Sequence, residues 1–387
     1  MKKHLLLLLS VLATIFSCYS LYSQDTVKTF SDSLIFRGQV SAWSNYYFDS
    51  PLPFQIGGRY IPTLEYDIQA SEKSLIDFEI AANIYGTFNS SLFDSTQLDG
   101  NINPYRLWTR FSTNQFELRL GLQKIDFGSA TLLRPLQWFN AIDPRDPLKI
   151  TNGVYGVLSR YYFLNNANIW AWFLYGNEKT RGFDAIETYS KHPEFGGRIQ
   201  YPTLRGEIAI SYNHRTANAQ NLFAQPEFAQ IPEDRIGLDG KWDLIIGLWL
   251  EATHIIKHRD IGILTNQSLF NLGADYTFGI GNGLNIIVEH LFMSYSQKSF
   301  DFNQNANFSA CNISYPLGFF DNVSTMAYYN WKENAMSFFL NYSHQFNKIA
   351  GYIMVYYNPK TQQMIQQNEL LNISSGPGVQ IMLVYNH

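Results

Sequence analysis

The sequence predicts an all-β chain that closes into a single transmembrane antiparallel β-barrel, and three observations predict it. Apolar and polar residues alternate with period two along most of the chain, in stretches that match a tilted membrane strand of about 9–11 residues. Charged residues make up only 16% of the 387 positions and aromatic ones another 16%, whereas about a quarter of an ordinary soluble domain is charged. Rings gather at the ends of the alternating stretches, as in Tyr46-Tyr47-Phe48, Tyr161-Tyr162-Phe163, Tyr328-Tyr329 and Tyr356-Tyr357. An apolar ring with a polar tip suits a headgroup belt. Beyond the N-terminus no apolar run approaches the roughly 18 residues a membrane helix needs. Hydrocarbon offers no partner to a backbone N–H, so a sheet placed there has to close.

The N-terminus reads as an export signal. Met1-Lys2-Lys3-His4 is basic, and the apolar stretch from Leu5 to Phe16 is broken only by Ser10 and Thr14. Cleavage after Ser23 leaves residues 24–387 as one barrel. A rival reading takes Ile15-Phe16-Ser17-Cys18 as a lipoprotein site with Cys18 lipidated, although Phe16 is bulky for that role. Loss of Lys2 and Lys3 takes the formal charge from −4 to −6, which gives no general attraction to nucleic acid. Cys311 is then the only cysteine, so no internal disulfide is expected.

Strands follow from the alternation. In 115–124, Phe116, Leu118, Leu120 and Leu122 oppose Glu117, Arg119, Gly121 and Gln123. In 75–86, Ile76, Phe78, Ile80, Ala82 and Ile84 oppose Asp77, Glu79, Ala81 and Asn83. The stretches 235–242 and 270–278 behave in the same way. Strands fall near 34–46, 55–69, 73–86, 104–113, 115–125, 153–164, 167–177, 194–203 and 205–214. More fall near 233–243, 244–257, 266–279, 283–296, 322–331, 334–346, 348–358 and 378–387. An odd count does not suit a bacterial barrel with both termini on one side. The segment 307–319 therefore has to cross as well, giving about eighteen strands, or sixteen if the 233–257 pair is counted once too often. Val379, Ile381, Leu383 and Tyr385 alternate up to His387, like the terminal strand that the barrel assembly machinery reads, with His387 in place of the usual Phe.

The longest insertion, 126–152, combines three prolines and paired charges with a patch that demands burial, Leu132-Leu133 and Leu136-Gln137-Trp138-Phe139. A loop folded into the lumen meets both demands, so Asp126, Trp138, Asp143 and Asp146 are assigned to a constriction loop. On the lumen faces Arg59, Arg106, Arg110, Arg119, Arg160 and Arg198 form a basic arc, joined by Arg134 and Arg145 from the loop. Glu251, Asp275 and Glu289 lie further round. Two readings stay open: the charges pair to stiffen the wall, or they set up a transverse field that orients polar solutes.

The run from Leu118 to Gly128, followed by Asn140-Ala141-Ile142-Asp143-Pro144-Arg145-Asp146-Pro147, resembles the strand–loop signature of porin-like barrels of the alginate-export type. The resemblance covers about 40 residues, with Phe127 where a Trp is usual. It implies an outer-membrane barrel with a lumen-directed loop, and it does not imply a substrate.

No catalytic, cofactor or metal site is assigned. Gly279 to Gly283 sits between two strands and suits a turn better than a phosphate cradle. His254 and His258 lack a third ligand, and His290 and His344 are the only histidines weighed for a Ser–His pair. The expected protein is an outer-membrane channel that passes small hydrophilic solutes, anionic ones included, with lipid and the assembly machinery as partners and oligomeric state open. The alternatives are polysaccharide export or surface assembly, a barrel enzyme, and a structural or adhesive barrel.

Overall fold

The computed structural model describes residues 33–91, 96–223, 228–359 and 375–387. The expected signal at 1–23, Cys18, and most of the stretch between the last two expected strands, 359–377, lie outside these residues. In chain order the strands are β1 (Ser33–Tyr47), β2 (Phe54–Ser71), β3 (Ser74–Ser90), β4 (Thr96–Thr113), β5 (Phe116–Gln123), β6 (Val154–Tyr162) and β7 (Asn168–Leu174). There follow β8 (Glu187–Thr188), β9 (Glu194–Thr203), β10 (Gly206–Asn218), β11 (Ile231–Asp243), β12 (Gly247–Lys257) and β13 (Asn266–Phe278). The last are β14 (Leu284–Ser296), β15 (Asn305–Pro316), β16 (Asp321–Asn330), β17 (Ala335–Gln345), β18 (Ile349–Asn358) and β19 (Gly376–Asn386).

Every strand except the two-residue β8 belongs to one antiparallel barrel of eighteen strands. Sequence neighbours pair throughout, β7 pairs β9, and β1 pairs both β2 and β19. The seam is completed by Gly38 and His387, whose backbones exchange hydrogen bonds of 3.1 and 3.0 Å. The segment required by parity is β15. One rim carries turns of two to five residues, and the other carries the longer loops, 124–153 and 175–193 among them.

The barrel is apolar outside and polar inside. Phe78, Ile80, Leu118, Leu120, Ile208, Ile210, Ile236, Leu238, Phe270 and Leu272 are exposed on the outer face. Their neighbours Asp77, Glu117, Ser211, Asp239 and Asn271 are buried on the inner one. An exposed apolar band of this extent is untenable in water and natural in lipid. Outward rings two residues apart meet edge to face near the strand ends: Tyr46–Phe48 at 5.0 Å, Tyr161–Phe163 at 4.9 Å and Tyr329–Trp331 at 4.9 Å. His387 lies among Phe36, Tyr60 and Tyr385 at 5.5–6.0 Å, where it acts as one more ring of that girdle.

Two details depart from the simple alternation. Tyr47, Tyr328 and Tyr356, grouped with the belt by sequence, point inward, because each alternates with an outward-facing neighbour. Leu122 is buried rather than exposed beside Leu118 and Leu120. Gly121 takes φ +121°, and a Cβ there would fall 2.1 Å from the Leu107 carbonyl oxygen. The strand is pinched at that point, and Leu122 and Gln123 are both buried beyond it.

Inside, bulky rings lie flat on glycines of the next strand. Trp43 faces Gly57, Trp172 faces Gly196, Trp249 faces Gly273 and Tyr356 faces Gly378. A Cβ on Gly57 or Gly273 would fall 2.2 or 2.1 Å from the indole. Each ring thus covers a stretch of wall that glycine leaves bare.

If the outer face meets lipid, Ile210→Arg should lower unfolding stability by about 2–4 kcal/mol when measured by urea titration in lipid vesicles. An unchanged titration would place Ile210 outside the hydrocarbon.

Candidate functional site

The lumen is the candidate site, and the loop 124–153 defines it. The loop leaves β5 after Gln123 and returns at Val154, its direct partner on β6. Between those points it crosses the barrel and is fastened on the far wall. Glu289 on β14 accepts from the backbone N–H groups of Thr131, Leu132 and Leu133 at 2.7, 3.1 and 2.5 Å. The Thr131 hydroxyl, the Trp249 indole and the Asn271 amide complete its shell at 3.0, 3.0 and 3.2 Å. Glu251 on β12 accepts from the N–H groups of Ala130 at 2.7 Å and Leu136 at 3.1 Å. Gly128, at φ +103°, lets the chain pass there, since a Cβ would meet Glu251 Oε1 at 2.3 Å. A buried carboxylate is tolerable only when its oxygens are filled, and here the loop backbone does much of the filling.

Apolar groups hold the rest of the loop. Phe127, Leu136, Trp138 and Phe139 pack with Leu158 of β6 and with Trp172 and Leu174 of β7. Leu132 and Leu133 pack with Leu269, Leu291 and Phe308 on β13–β15. Ile150 meets Ile61 and Ala81, and Leu148 reaches both this cluster and the one around Phe339 and Tyr356. The loop therefore touches wall on nearly every side.

Its polar groups close on each other. Asp126 meets Arg134 at 2.6 Å and Lys124 at 3.2 Å, and accepts from Asn140 at 2.9 Å. Burial raises the Asp126 carboxyl, but Arg134 and Lys124 outweigh it and hold the group below the usual carboxylate range. Asp143 and Arg145 form a buried bidentate pair. Burial disfavours the Arg145 charge, and Asp143 more than compensates, holding the guanidinium above its ordinary range. Asp146 accepts from the N–H groups of Leu148 and Ile150 at 2.9 Å each, and burial still pushes its carboxyl up.

The arginines expected on the lumen face are placed as follows. Arg59 lies 5.5 and 5.6 Å from the Trp43 and Tyr85 rings. Arg106 is buried and donates to the Thr151 carbonyl at 3.1 Å. Arg110 pairs with Asp77 at 3.0 Å, Arg119 with Glu117 at 3.0 Å, and Arg160 with Glu117 at 3.6 Å. Trp108 lies under Arg119 at 4.6 Å and Trp170 under Arg160 at 3.8 Å. Arg198 pairs with buried Asp239 at 2.5 Å and lies 5.1 Å from the Phe127 ring. Of the three distant acids, Glu251 and Glu289 are taken up by the loop, while Asp275 is half-buried beside Gly247.

A second cluster was not singled out by sequence. The loop 175–193 also turns inward, burying Phe183 beside Leu132 and Leu133. Arg215 bridges Asp184 and Glu233 at 3.0 and 2.6 Å, and Arg235 bridges the same acids at 2.7 Å each. Lys257 joins Glu233 at 3.5 Å, and Arg181 pairs with Glu194 at 2.8 Å. Arg215, Glu233, Arg235 and Lys257 all occupy inward positions of β10–β12, so alternation alone marks them as luminal. Opposite, β15–β19 contain no Lys, Arg or Glu, and their one Asp, Asp321, faces outward and binds Tyr342 and His344.

The histidines do not converge. His254 binds Ser268 and Ser299, whereas His258 binds Asp234. His290 meets Ser309 at 2.9 Å on the outer face, and Ser309 also accepts from Trp331 at 2.9 Å. Among the described residues no group of three His, Cys, Asp or Glu side chains could hold a metal ion.

No protein-family model matches the chain, and no curated protein does. The architecture is nevertheless that of solved bacterial porins. OccD3 of Pseudomonas aeruginosa matches with a TM-score of 0.57 at 8% identity, over 91% of this chain and 91% of that one. OccAB1 of Acinetobacter baumannii matches at 0.57 and 9%, over 94% and 99%. An anion-selective porin from Comamonas acidovorans matches at 0.50 and 11%, over 92% and 100%. At such identities the likeness is one of fold.

Glu289→Gln should loosen the loop without opening the barrel. An amide offers one acceptor oxygen where the carboxylate offers two, and hydrogen bonds to a charged group contribute about 1.5–3 kcal/mol. Exchange of the Thr131, Leu132 and Leu133 amides should accelerate about tenfold or more, while that of wall strands stays unchanged; equal rates in both proteins would remove Glu289 as the anchor. The Asp126 clasp should depend on pH in a definite direction. A carboxyl depressed in the folded state stabilises above its unfolded value of about 4 and loses that contribution as pH falls through the folded one. Acidification below about pH 4 should therefore lower the protection factors around Asn140, taken against the intrinsic exchange rate at each pH, and Asp126→Asn should abolish the dependence.

Proposed function

We propose that the chain is an outer-membrane channel for the passive passage of small hydrophilic solutes. The observation that carries this reading is a polar lumen narrowed by a loop fastened to the opposite wall through Glu289 and Glu251. In this reading the long-loop rim faces outward from the cell and the short turns face the periplasm. Residues 1–23 direct export, and the terminal strand is read by the barrel assembly machinery.

Selectivity rests on the wall below the loop. Among the described residues the ion pairs of Arg110, Arg119 and Arg160 go to Asp77 and Glu117, three cations to two anions within ion-pair distance. All three side chains keep part of their surface open, from 15 to 30%. That supports a modest preference for anions. Arg106 and Arg198 are buried, and Arg134 and Arg145 are paired within the loop, so these four serve mainly to set the shape of the passage.

Polysaccharide export is the second reading. Its support is that Asn140, in the segment resembling alginate-export barrels, donates to the Ile125 carbonyl at 2.9 Å and joins the two ends of that signature.

Reconstituted in planar bilayers, the protein should give discrete ohmic conductance. Changing Arg110, Arg119 and Arg160 together to Gln should move the reversal potential in a KCl gradient toward cation preference. An unmoved potential would remove the anion assignment, and a silent bilayer would sink the channel reading in favour of a structural, adhesive or enzymatic barrel. Block by an acidic oligosaccharide would favour export.

A further inference from the structure

The short-turn rim carries side chains that turns in water do not need. Its turns span 72–73, 114–115, 163–167, 204–205, 244–246, 279–283, 317–320 and 346–348. The first two, Glu72-Lys73 and Asn114-Gln115, are polar. The others follow one another around the ring from β6 to β18, and each presents an exposed apolar side chain: Leu164, Leu204, Ile245, Ile280, Phe319 and Phe346. Leu164, Leu204, Ile245 and Phe319 are at least 88% exposed, so packing within the chain does not account for them. Turn geometry does not either. Turns are built by residues such as Gly and Asn, and Asn166 and Gly281 already supply the left-handed positions at φ +65° and +56°.

The apolar tips continue the lipid-facing side of the strands. Outward Tyr276 and Phe278 are followed by Ile280, and all three are exposed. Trp242 and its partner Leu248 are joined through exposed Leu244 and Ile246. The Phe346 ring meets that of outward His344 at 4.3 Å.

The wall is not of even height. β2, β3 and β4 run for 18, 17 and 18 residues, whereas β6, β7, β9 and β18 have 9, 7, 10 and 10. At the seam Gln39 faces Asn386, so Ser33–Arg37 run on past His387 beside β2, and β2 continues to the Glu72-Lys73 turn. The β2–β3 hairpin therefore projects beyond the turn 346–348, where Ile349 faces Tyr385. Leu34 and Phe36 on the projecting part face outward and are 67% and 57% exposed. The apolar outer band thus extends past the level of the seam, and a turn at that level lies within the band.

The occupant this arrangement fits is lipid. Between the tips stand Asn165, Arg205, Asn282 and Lys348, so the apolar groups are separate teeth along an arc. Lipid covers such teeth one by one, whereas a protein partner draws its affinity from a well-packed central cluster. The long stems of Arg205 and Lys348 let their charges reach the headgroups.

We infer that the short-turn rim from β6 to β18 is sunk in the lipid leaflet on that side, and that the barrel stands tilted, with the β2–β3 and β4–β5 turns reaching water. The inference rests on the lipid-facing outer wall and is independent of the channel reading.

Nitroxide labels test it on the full chain in phosphatidylcholine vesicles. Cys311→Ser removes the native thiol, and single cysteines are placed by Leu204→Cys, Phe319→Cys, Lys73→Cys or Ile210→Cys. Collisions with oxygen should exceed those with a water-soluble nickel chelate at Leu204 and Phe319, as at Ile210, and the ratio should invert at Lys73. Chelate-dominated labels at Leu204 and Phe319 beside an oxygen-dominated one at Ile210 would overturn the sunken rim and leave the lipid-facing wall standing. A chelate-dominated label at Ile210 would remove the wall from lipid and the rim with it. An oxygen-dominated label at Lys73 would sink the tilt. Labels at Leu204 and Phe319 that meet the chelate in vesicles, yet neither reagent in native membrane fragments, would give the rim to a protein partner and overturn the lipid assignment.

Discussion

Backbone groups in hydrocarbon can pair only with each other, and the meeting of Gly38 with His387 shows what that constraint does to this chain. Without the β1–β19 ladder, two strands would present rows of unpaired donors and acceptors to lipid. Closure then fixes the rest. Once eighteen strands share one ring, alternate residues must face lipid or lumen, and most charged residues of β2–β14 turn to the polar lumen, Asp234 on β11 being an outward exception bound by Tyr212 and His258.

A ring of this size encloses more space than wall side chains can fill, and the chain fills part of it with its own loops. The loop 124–153 brings large apolar groups into a polar interior, which works because the wall meets it with Trp172, Leu174, Leu269 and Leu291. Its backbone would be left unsatisfied there were it not for Glu289 and Glu251. The carboxylates gain from the amides, and the amides from the carboxylates. Buried ion pairs such as Arg215–Glu233 are weak evidence of net stability, because desolvation opposes them. Their clearer effect here is to hold the loop 175–193 in one position.

Much of the fold was legible in the sequence because lipid demands a regular pattern. Strand ends agree within a few residues nearly everywhere, and β15, too polar to stand out on its own, followed from parity. The inward course of 124–153 was legible for a similar reason, since Leu132, Leu136, Trp138 and Phe139 have no business in water. What stayed hidden depended on contacts between distant segments. The loop 175–193 holds only Phe183 and Ile186 as buried apolar side chains, too few to signal burial, and its fixed position comes from ion pairs with strands far along the chain. The luminal place of Tyr47 and Tyr356 was concealed because rings at strand ends serve either face equally well. Glu251 and Glu289 could be assigned to the lumen but not to their partners, since backbone amides leave no mark in a sequence.

The stems of the long loop are hydrogen-bonded neighbours, Gln123 opposite Val154. The barrel wall is therefore continuous across the insertion, and the loop is a detour that begins and ends at adjacent points of the ring. An ancestor with a two-residue hairpin here would have the same number of staves. The insertion behaves like a removable cartridge: the segment that fills the lumen can drift in sequence while the vessel that holds it stays intact.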